Sequence, residues 1–339
     1  MAGQRIHLHA VLTDGAKDEQ YERATMTRQG RSAIAFIGIG LMIYAGAYFA
    51  AERLMYRNGH GNPFFKIATT DVKAFDWVIL GASHAMPLGF ADFNRVMQGE
   101  TGLKIINLAS PGTGPLYNRF VLEAFQRDHT AKNLLYVVDS FAFYSRTWNE
   151  DRFGDAKLLG ATPFDPATAW LLLQYSRHDG IDPRALADYM AGFSKINNRD
   201  RFQKDIWEGE LQFDRVYRQS AAAVKSRIAY LFPDSAQEGR LARYMTEFAK
   251  LLELAHRKNV RVAVIKMPTP GQFRALLPNE AAFDAAMAVA IENSGVGFSD
   301  FSDELDEPRF YFDTDHLNRA GVTELFNRHL REIVMAHAN

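Results

Sequence analysis

The sequence predicts an α/β fold in which a parallel sheet is covered by helices on both faces. Three observations carry this. Short apolar runs at 77–80 (WVIL), 104–108 (KIINL), 133–138 (NLLYVV) and 260–267 (VRVAVIKM) lack the apolar/polar alternation of a half-exposed strand, so they read as strands buried on both sides. Stretches with helical spacing of apolar residues fall between them. The first three runs also end abruptly, in Gly81-Ala82-Ser83, in Ala109-Ser110-Pro111-Gly112-Thr113-Gly114 and in Asp139-Ser140. These are the turns expected at the carboxyl ends of strands, where open α/β sheets bind ligands.

Taken in order, the first strand (77–80) is followed by a helix near 90–97, and the second (104–108) by a helix over 116–127. The third strand (133–138) closes this half. An amphipathic helix over 241–258 has Leu251, Leu252, Leu254 and Ala255 on its apolar side and leads into the fourth strand, 260–267. A helix over 279–292, a short fifth strand at 297–301 and a helix from Arg319 to about Ala336 complete the chain. Right-handed crossovers would join the strands.

The interval 141–239 breaks this rhythm. It is rich in aromatic and charged residues (Phe141, Phe143, Tyr144, Trp148, Phe153, Trp170, Tyr175, Trp207) and reads as helices and loops. Nearly a hundred residues exceed an ordinary crossover, so the interval is expected to be a helical insertion that caps the site or meets a partner. Extra helices that merely pad the sheet are the plainer alternative.

The amino-terminal region differs in kind. Residues 32–51 (SAIAFIGIGLMIYAGAYFAA) carry no charge and no polar face, and lie between Arg31 and Glu52. At 1.5 Å per residue, twenty residues span a hydrocarbon layer of about 30 Å. The expected organisation is a cytoplasmic tail (1–31), a transmembrane helix (32–51), a linker (52–66) with a breaker cluster at Asn58-Gly59-His60-Gly61-Asn62-Pro63, and a soluble domain over 67–339 that holds the insertion. Arg23, Arg28 and Arg31 on one side nearly balance Arg53, Arg57 and Lys66 on the other, so charge asymmetry hardly decides orientation. An extracytoplasmic (periplasmic) domain on a single-pass inner-membrane anchor is the expectation, because the remainder reads as an exported enzyme.

The whole chain of 339 residues is 47% hydrophobic, with a formal net charge of −1 and scattered basic residues, so it does not read as a nucleic-acid binder. It has no cysteine. Disulfides, thiolate metal sites and cysteine nucleophiles are excluded.

The chemistry-bearing residues sit at the strand ends. Ser83 follows the first strand, and a hydroxyl there becomes a nucleophile if a base reaches it. Only a distant stretch supplies one, Phe312-Asp313-Thr314-Asp315-His316-Leu317-Asn318. An Asp three residues before a His can hold the imidazole, fix its tautomer and stabilise its protonated form. The competing explanation makes Asp313 or Asp315 a helix cap and His316 a surface residue. Gly112 and Gly114 allow close approach of backbone N–H groups to a developing oxyanion, or simply suit a loop. Asp139 and Ser140 lie at the same edge of the sheet, and could hold the pocket or cap a helix.

In this order, with Ser83 after strand one, the glycine loop after strand two and Asp313-x-x-His316 before the last helix, the chain resembles the SGNH/GDSL hydrolase superfamily over about 75–140 and 258–336. The resemblance implies a three-layer α/β/α sandwich in which Ser83 is the nucleophile, His316 the base and Asp313 its partner. The oxyanion hole would then be formed by the N–H groups of Ser83 and Gly112, with Gly114 second. His84, Asn107, Asp139 and Ser140 are the expected substrate contacts, with no metal and no cofactor. Two departures stand out. Ala82 replaces the Asp of Gly-Asp-Ser, and no Asn follows the third strand. Together with the anchor, the insertion and the ending Tyr311-Phe312-Asp313-x-x-His316-Leu317-Asn318-x-x-Gly321, they resemble the membrane-anchored branch that includes the DltD and alginate-acetylation proteins. That resemblance implies serine acyl transfer, of the acetylation or D-alanylation type, onto an extracytoplasmic polysaccharide or envelope polymer beside a membrane-bound O-acyltransferase. An esterase that uses water, and a catalytically silent adapter for such an acyltransferase, are the alternatives.

Overall fold

The computed structural model describes residues 5–59, 61–233 and 238–336, with side chains over 27–59, 61–233 and 239–336. Residues 1–4 of the expected tail, and His60 of the breaker cluster, lie outside the described residues. The chain divides into two units, Met1–Ala51 and Glu52–Asn339. In the first, the backbone belongs to one helix that runs from Arg5 and continues to Asn58. The apolar stretch is exposed: within Thr27–Asn58 an 18-residue window has mean hydropathy 1.9 and none of it is buried. Residues 5–31 of the expected tail are helical throughout, and so are 52–58 and 63–66 of the expected linker. Residues 52–58 hold neither Gly nor Pro, so the helix continues until Asn58-Gly59 stops it. Asn62 then caps the helix Pro63–Thr69 by accepting from the Phe64 N–H at 2.9 Å.

The second unit is built on a five-stranded sheet of order β2-β1-β3-β4-β5, parallel throughout. The strands are β1 (Ala74–Gly81), β2 (Ile105–Asn107), β3 (Thr130–Val138), β4 (Arg261–Lys266) and β5 (Gly297–Asp300). All five predicted strands form, with ends shifted by a few residues. In register, Trp77 faces Ile105 on one side and Asn133 on the other, and Asn133 faces Arg261.

Alternate residues enter two separate cores, because successive side chains of a strand point to opposite faces. Val78, Leu80, Leu134, Tyr136, Val262 and Val264 pack with the helices Pro115–Asp128, Glu238–Arg257 and Glu280–Ser294. Trp77, Ile79, Leu135, Val137, Ala263 and Ile265 pack with Phe93–Thr101 and the carboxyl-terminal helical segment, where Arg319–Leu325 passes through a π turn into Arg331–Ala336. Both faces are therefore covered, which is why the strands read as continuous apolar runs. The strand order reverses beside β1, since β2 lies on one side of it and β3 on the other. The crevice at the carboxyl ends of β1 and β3 is the position where such sheets bind ligands.

The interval 141–239 is only partly the peripheral cap expected of it. Phe141, Phe143, Tyr144, Trp148, Phe153 and Tyr175 are buried in the same core as the sheet. Phe143 packs edge-on against Phe248 and Phe283, and Phe153 against Tyr117 and Phe120. These aromatics are core residues. Others in the interval are not, Trp170 and Phe193 each having 61% of their surface exposed and Phe202 69%.

Candidate active site

β1 ends in a turn that only glycine fits. Gly81 has φ +149°, and a Cβ on it would lie 2.7 Å from the Val137 carbonyl oxygen. The chain then enters a 3₁₀ turn, Ser83–Asp92, that opens on Ser83 at the carboxyl end of β1. Ser83 is 3% exposed and the adjoining His84 is buried with it.

The second contributor comes from the far end of the chain. Tyr311 and Leu317 pair as an isolated bridge, so 312–316 form a tight loop, closed by the Phe312 N–H donating to the His316 carbonyl at 3.1 Å. Asp313 organises it: one carboxylate oxygen accepts the N–H of Asp315 at 3.1 Å and that of His316 at 2.8 Å. Both of its oxygens lie within reach of His316 Nδ1, at 3.0 and 2.8 Å. The imidazole stacks on Phe312, meets Trp207 edge-on, and is 1% exposed. Its Nε2 is buried without a hydrogen-bond partner. An imidazole whose Nδ1 is held by a carboxylate while Nε2 stays free is arranged to take a proton at Nε2.

The loop also accounts for the ending Asn318-x-x-Gly321. Asn318 caps the following helix through Gly321 N–H at 3.0 Å and donates to the carbonyls of Arg309 at 2.7 Å and Arg215 at 2.9 Å. Gly321 lies against the Phe310 carbonyl, where no Cβ fits. The helix cap is thus Asn318, not Asp313 or Asp315.

The two ends meet through His84. Its ring lies 4.8 Å from that of His316, centroid to centroid, which brings the residue after Ser83 against the imidazole held by Asp313. His84 Nδ1 makes a short bond to Asp139, and Nε2 lies 3.3 Å from Asp315. Asp315 is fully buried and receives Arg227 Nε at 3.1 and 3.0 Å. Asp139, His84, Asp315 and Arg227 thus form one alternating chain of charges. Burial pulls the His84 pKa down, but the charges and hydrogen bonds of Asp139 and Asp315 outweigh it and raise it to about 10, so the ring is an imidazolium at neutral pH. Burial likewise pushes the Asp315 carboxyl up, and the neighbouring His316, Arg227 and His84 hold it well below the usual range instead.

Several expected site residues are turned to structural use. Asn107 donates to the Ala85 carbonyl at 2.8 Å and accepts from Ala109 N–H at 2.9 Å, tying the end of β2 to the turn that carries Ser83. His84 and Asp139 hold each other. Ser140 is buried beside the carboxylate of Glu280, which also pairs with Lys266 at 2.6 Å. These four are the expected substrate contacts, and each has a polar group engaged by protein, while Asp139 Oδ2 has no hydrogen-bond partner. Gly114 is corrected as an oxyanion donor as well, because its N–H already donates to the Trp148 carbonyl at 2.5 Å. Gly112 has φ +61°, with the Trp148 ring where a Cβ would be.

The sequence reading missed Arg227 and gave Trp207 no role at His316. Both come from 141–239, and Arg227 meets Asp315 across 88 positions of sequence, a pairing no local pattern announces. His84, Asp315 and His316 each bring a ligand atom within 4.8 Å of the others, the one such buried cluster among the described residues. The Arg227 guanidinium already occupies both oxygens of that carboxylate, and Asp313 already holds His316 Nδ1, so the donor set does not suit a cation.

No protein-family model matches the chain, and no curated protein matches it in sequence. Among solved structures it is similar to a candidate acylhydrolase from Bacteroides fragilis, with 10% identity over 81% of this chain and 95% of that one and a TM-score of 0.40. It is similar also to the psychrotrophic esterase EstA from a Pseudoalteromonas species, at 9% identity over 78% and 100% with a TM-score of 0.41. A third is a candidate GDSL-like lipase from Parabacteroides merdae, at 11% identity over 79% and 98% with a TM-score of 0.40.

Proposed function

We propose that this chain is a membrane-anchored serine acyltransferase or esterase of SGNH type. The observation that carries the reading is His316, held at Nδ1 by Asp313 and unpartnered at a buried Nε2, beside the turn that bears Ser83. Ser83 Oγ attacks an acyl carbonyl while its proton passes to His316 Nε2. Asp313 stabilises the imidazolium, and the N–H groups of Ser83 and Gly112 hold the oxyanion. Collapse of the tetrahedral intermediate expels the donor's alcohol or thiol, which takes the proton from His316 and leaves an acyl ester on Ser83. In the second half an acceptor hydroxyl gives its proton to His316 and attacks that ester, releasing Ser83.

With a sugar hydroxyl as acceptor the reaction is O-acylation of an extracytoplasmic polysaccharide or envelope polymer, in which a membrane-bound O-acyltransferase supplies acyl groups. With water it is ester hydrolysis. The apolar helix supports placement at a membrane, and the burial of His316 under Trp207 and Phe312 supports transfer, since a covered acyl-enzyme is shielded from water.

The test treats the full chain in detergent with a fluorophosphonate and reads intact mass. One adduct, absent from Ser83→Ala and much slower in His316→Ala, is the expected result. An unlabelled wild-type protein would instead favour a silent adapter.

A further inference from the structure

We infer that part of the interval 141–239 rests on the bilayer surface and holds the catalytic domain against it; this builds on the anchored reading above. Glu52 follows the apolar stretch directly in the chain, and Glu52–Asn58 is the last part of its helix. At 1.5 Å per residue, Asn58 lies about 9 Å beyond Glu52 along the helix axis. The polar layer on each side of the hydrocarbon core is on the order of 5–8 Å thick, so groups bonded to Glu52 lie within it and groups bonded to Asn58 near its outer edge.

The interval is fastened to this short span. Phe164 N–H donates to Glu52 at 3.2 Å, and the buried Lys195 amine forms a short ion pair with the same carboxylate. Asn58 donates to the Arg201 carbonyl at 2.7 Å, and its own carbonyl accepts Asp205 N–H at 2.9 Å. Beside each of these fastened residues stands an exposed large apolar side chain. Phe164 itself is 36% exposed, Phe193 (two before Lys195) 61%, Phe202 (after Arg201) 69% and Ile206 (after Asp205) 38%. Tyr56, on the helix, is exposed as well. Large exposed apolar side chains close in sequence to residues bonded to one short helical span mark something that covers them, and aromatic residues are at home at the headgroup level. Chain connectivity names the occupant: a phospholipid bilayer. The placement also orders the residues, with Phe164 and Phe193 deeper than Phe202 and Ile206.

The absence of cysteine makes the test direct. Full-length I39C, F193C, F202C and V289C are spin-labelled and reconstituted in phosphatidylcholine/phosphatidylglycerol vesicles, then compared for accessibility to oxygen and to a water-soluble nickel chelate. Val289 is exposed on the helix Glu280–Ser294 and serves as the aqueous reference. The oxygen-to-nickel ratio should be several-fold higher at 193 than at 289, with 202 in between and 39 highest. A label at 193 that matches 289 while 39 is deep would overturn the docking and leave the anchor standing. An aqueous signal at 39 would overturn both. A label at 193 that leaves water only when a second membrane protein is co-reconstituted would assign the surface to a protein partner and overturn the bilayer. Phe164→Cys repeats the measurement at an independent site.

Discussion

The two sides of the His316 ring are built differently. Around Nδ1 the ring is held: Asp313 binds it and the loop backbone, and behind it Asp139, His84, Asp315 and Arg227 alternate in charge. Nε2 has no hydrogen-bond partner, and the rings of Phe312, Trp207 and His84 flank the imidazole. A buried polar atom left without a partner costs about 1–3 kcal/mol, so the free Nε2 calls for an explanation. The same comparison separates two aspartates only two positions apart. Asp313 has a third of its side-chain surface exposed and touches His316 directly; Asp315 has none exposed and ties the insertion to the sheet's edge.

The free side is where substitution should do most. Ser83→Ala and His316→Ala should each lower turnover of an activated ester by on the order of 10⁵-fold, with the double variant scarcely worse, because the pair acts as a unit. Additive losses, or an active Ser83→Ala, would dissolve the contrast between the two sides.

Asp313→Asn should lower the rate by about 10⁴-fold, the size of the corresponding change in the serine-protease template, while the fold stays within about 1 kcal/mol of wild type. The Asn oxygen can still accept the two backbone N–H groups, but its amide facing Nδ1 favours the wrong tautomer.

Asp315→Asn reverses that balance. Removing one partner of a buried ion pair costs about 3–5 kcal/mol, and here it strands both Arg227 and His84, so urea denaturation should show a loss of that size. Loss of activity from Asp315→Asn should follow loss of the fold. An Asp315→Asn protein as stable as wild type would mean that the buried chain of charges does not hold the site.

The smallest effect is one of pH. His84 titrates near 6.5 ordinarily and at about 10 in the folded protein, so its stabilising contribution is complete below about 6.5 and is lost as pH rises through 10. Melting temperatures of the wild type should therefore fall from pH 6.5 to 10 more steeply than those of His84→Gln. Parallel curves would remove the imidazolium from the charged chain.

The sheet was legible because its signals are local. An apolar run of four to eight residues, a Gly or Asp at its end and a helix-spaced segment after it are read within a window of twenty residues, and all five strands lie where those windows put them. Asp313 and His316 were legible for the same reason, being three apart in one loop. The insertion was not. Aromatic richness is the same whether the rings face a partner or a core, and only packing against Phe248 and Phe283 shows that Phe143 is interior.

By itself, then, the sequence determined an apolar amino-terminal stretch long enough to span a membrane, a parallel α/β sheet, and the carboxylate–imidazole pair at its edge. Tertiary structure alone decided that His84 and Asp139 hold the site's frame, that Gly114 has already given its N–H away, and that Asp315 is a buried charge held by Arg227. Periodicity and turn chemistry act over a few residues and leave a mark in every window. Charges that meet across 55 or 88 positions are brought together by the packing of the whole domain, and nothing near either residue records the meeting.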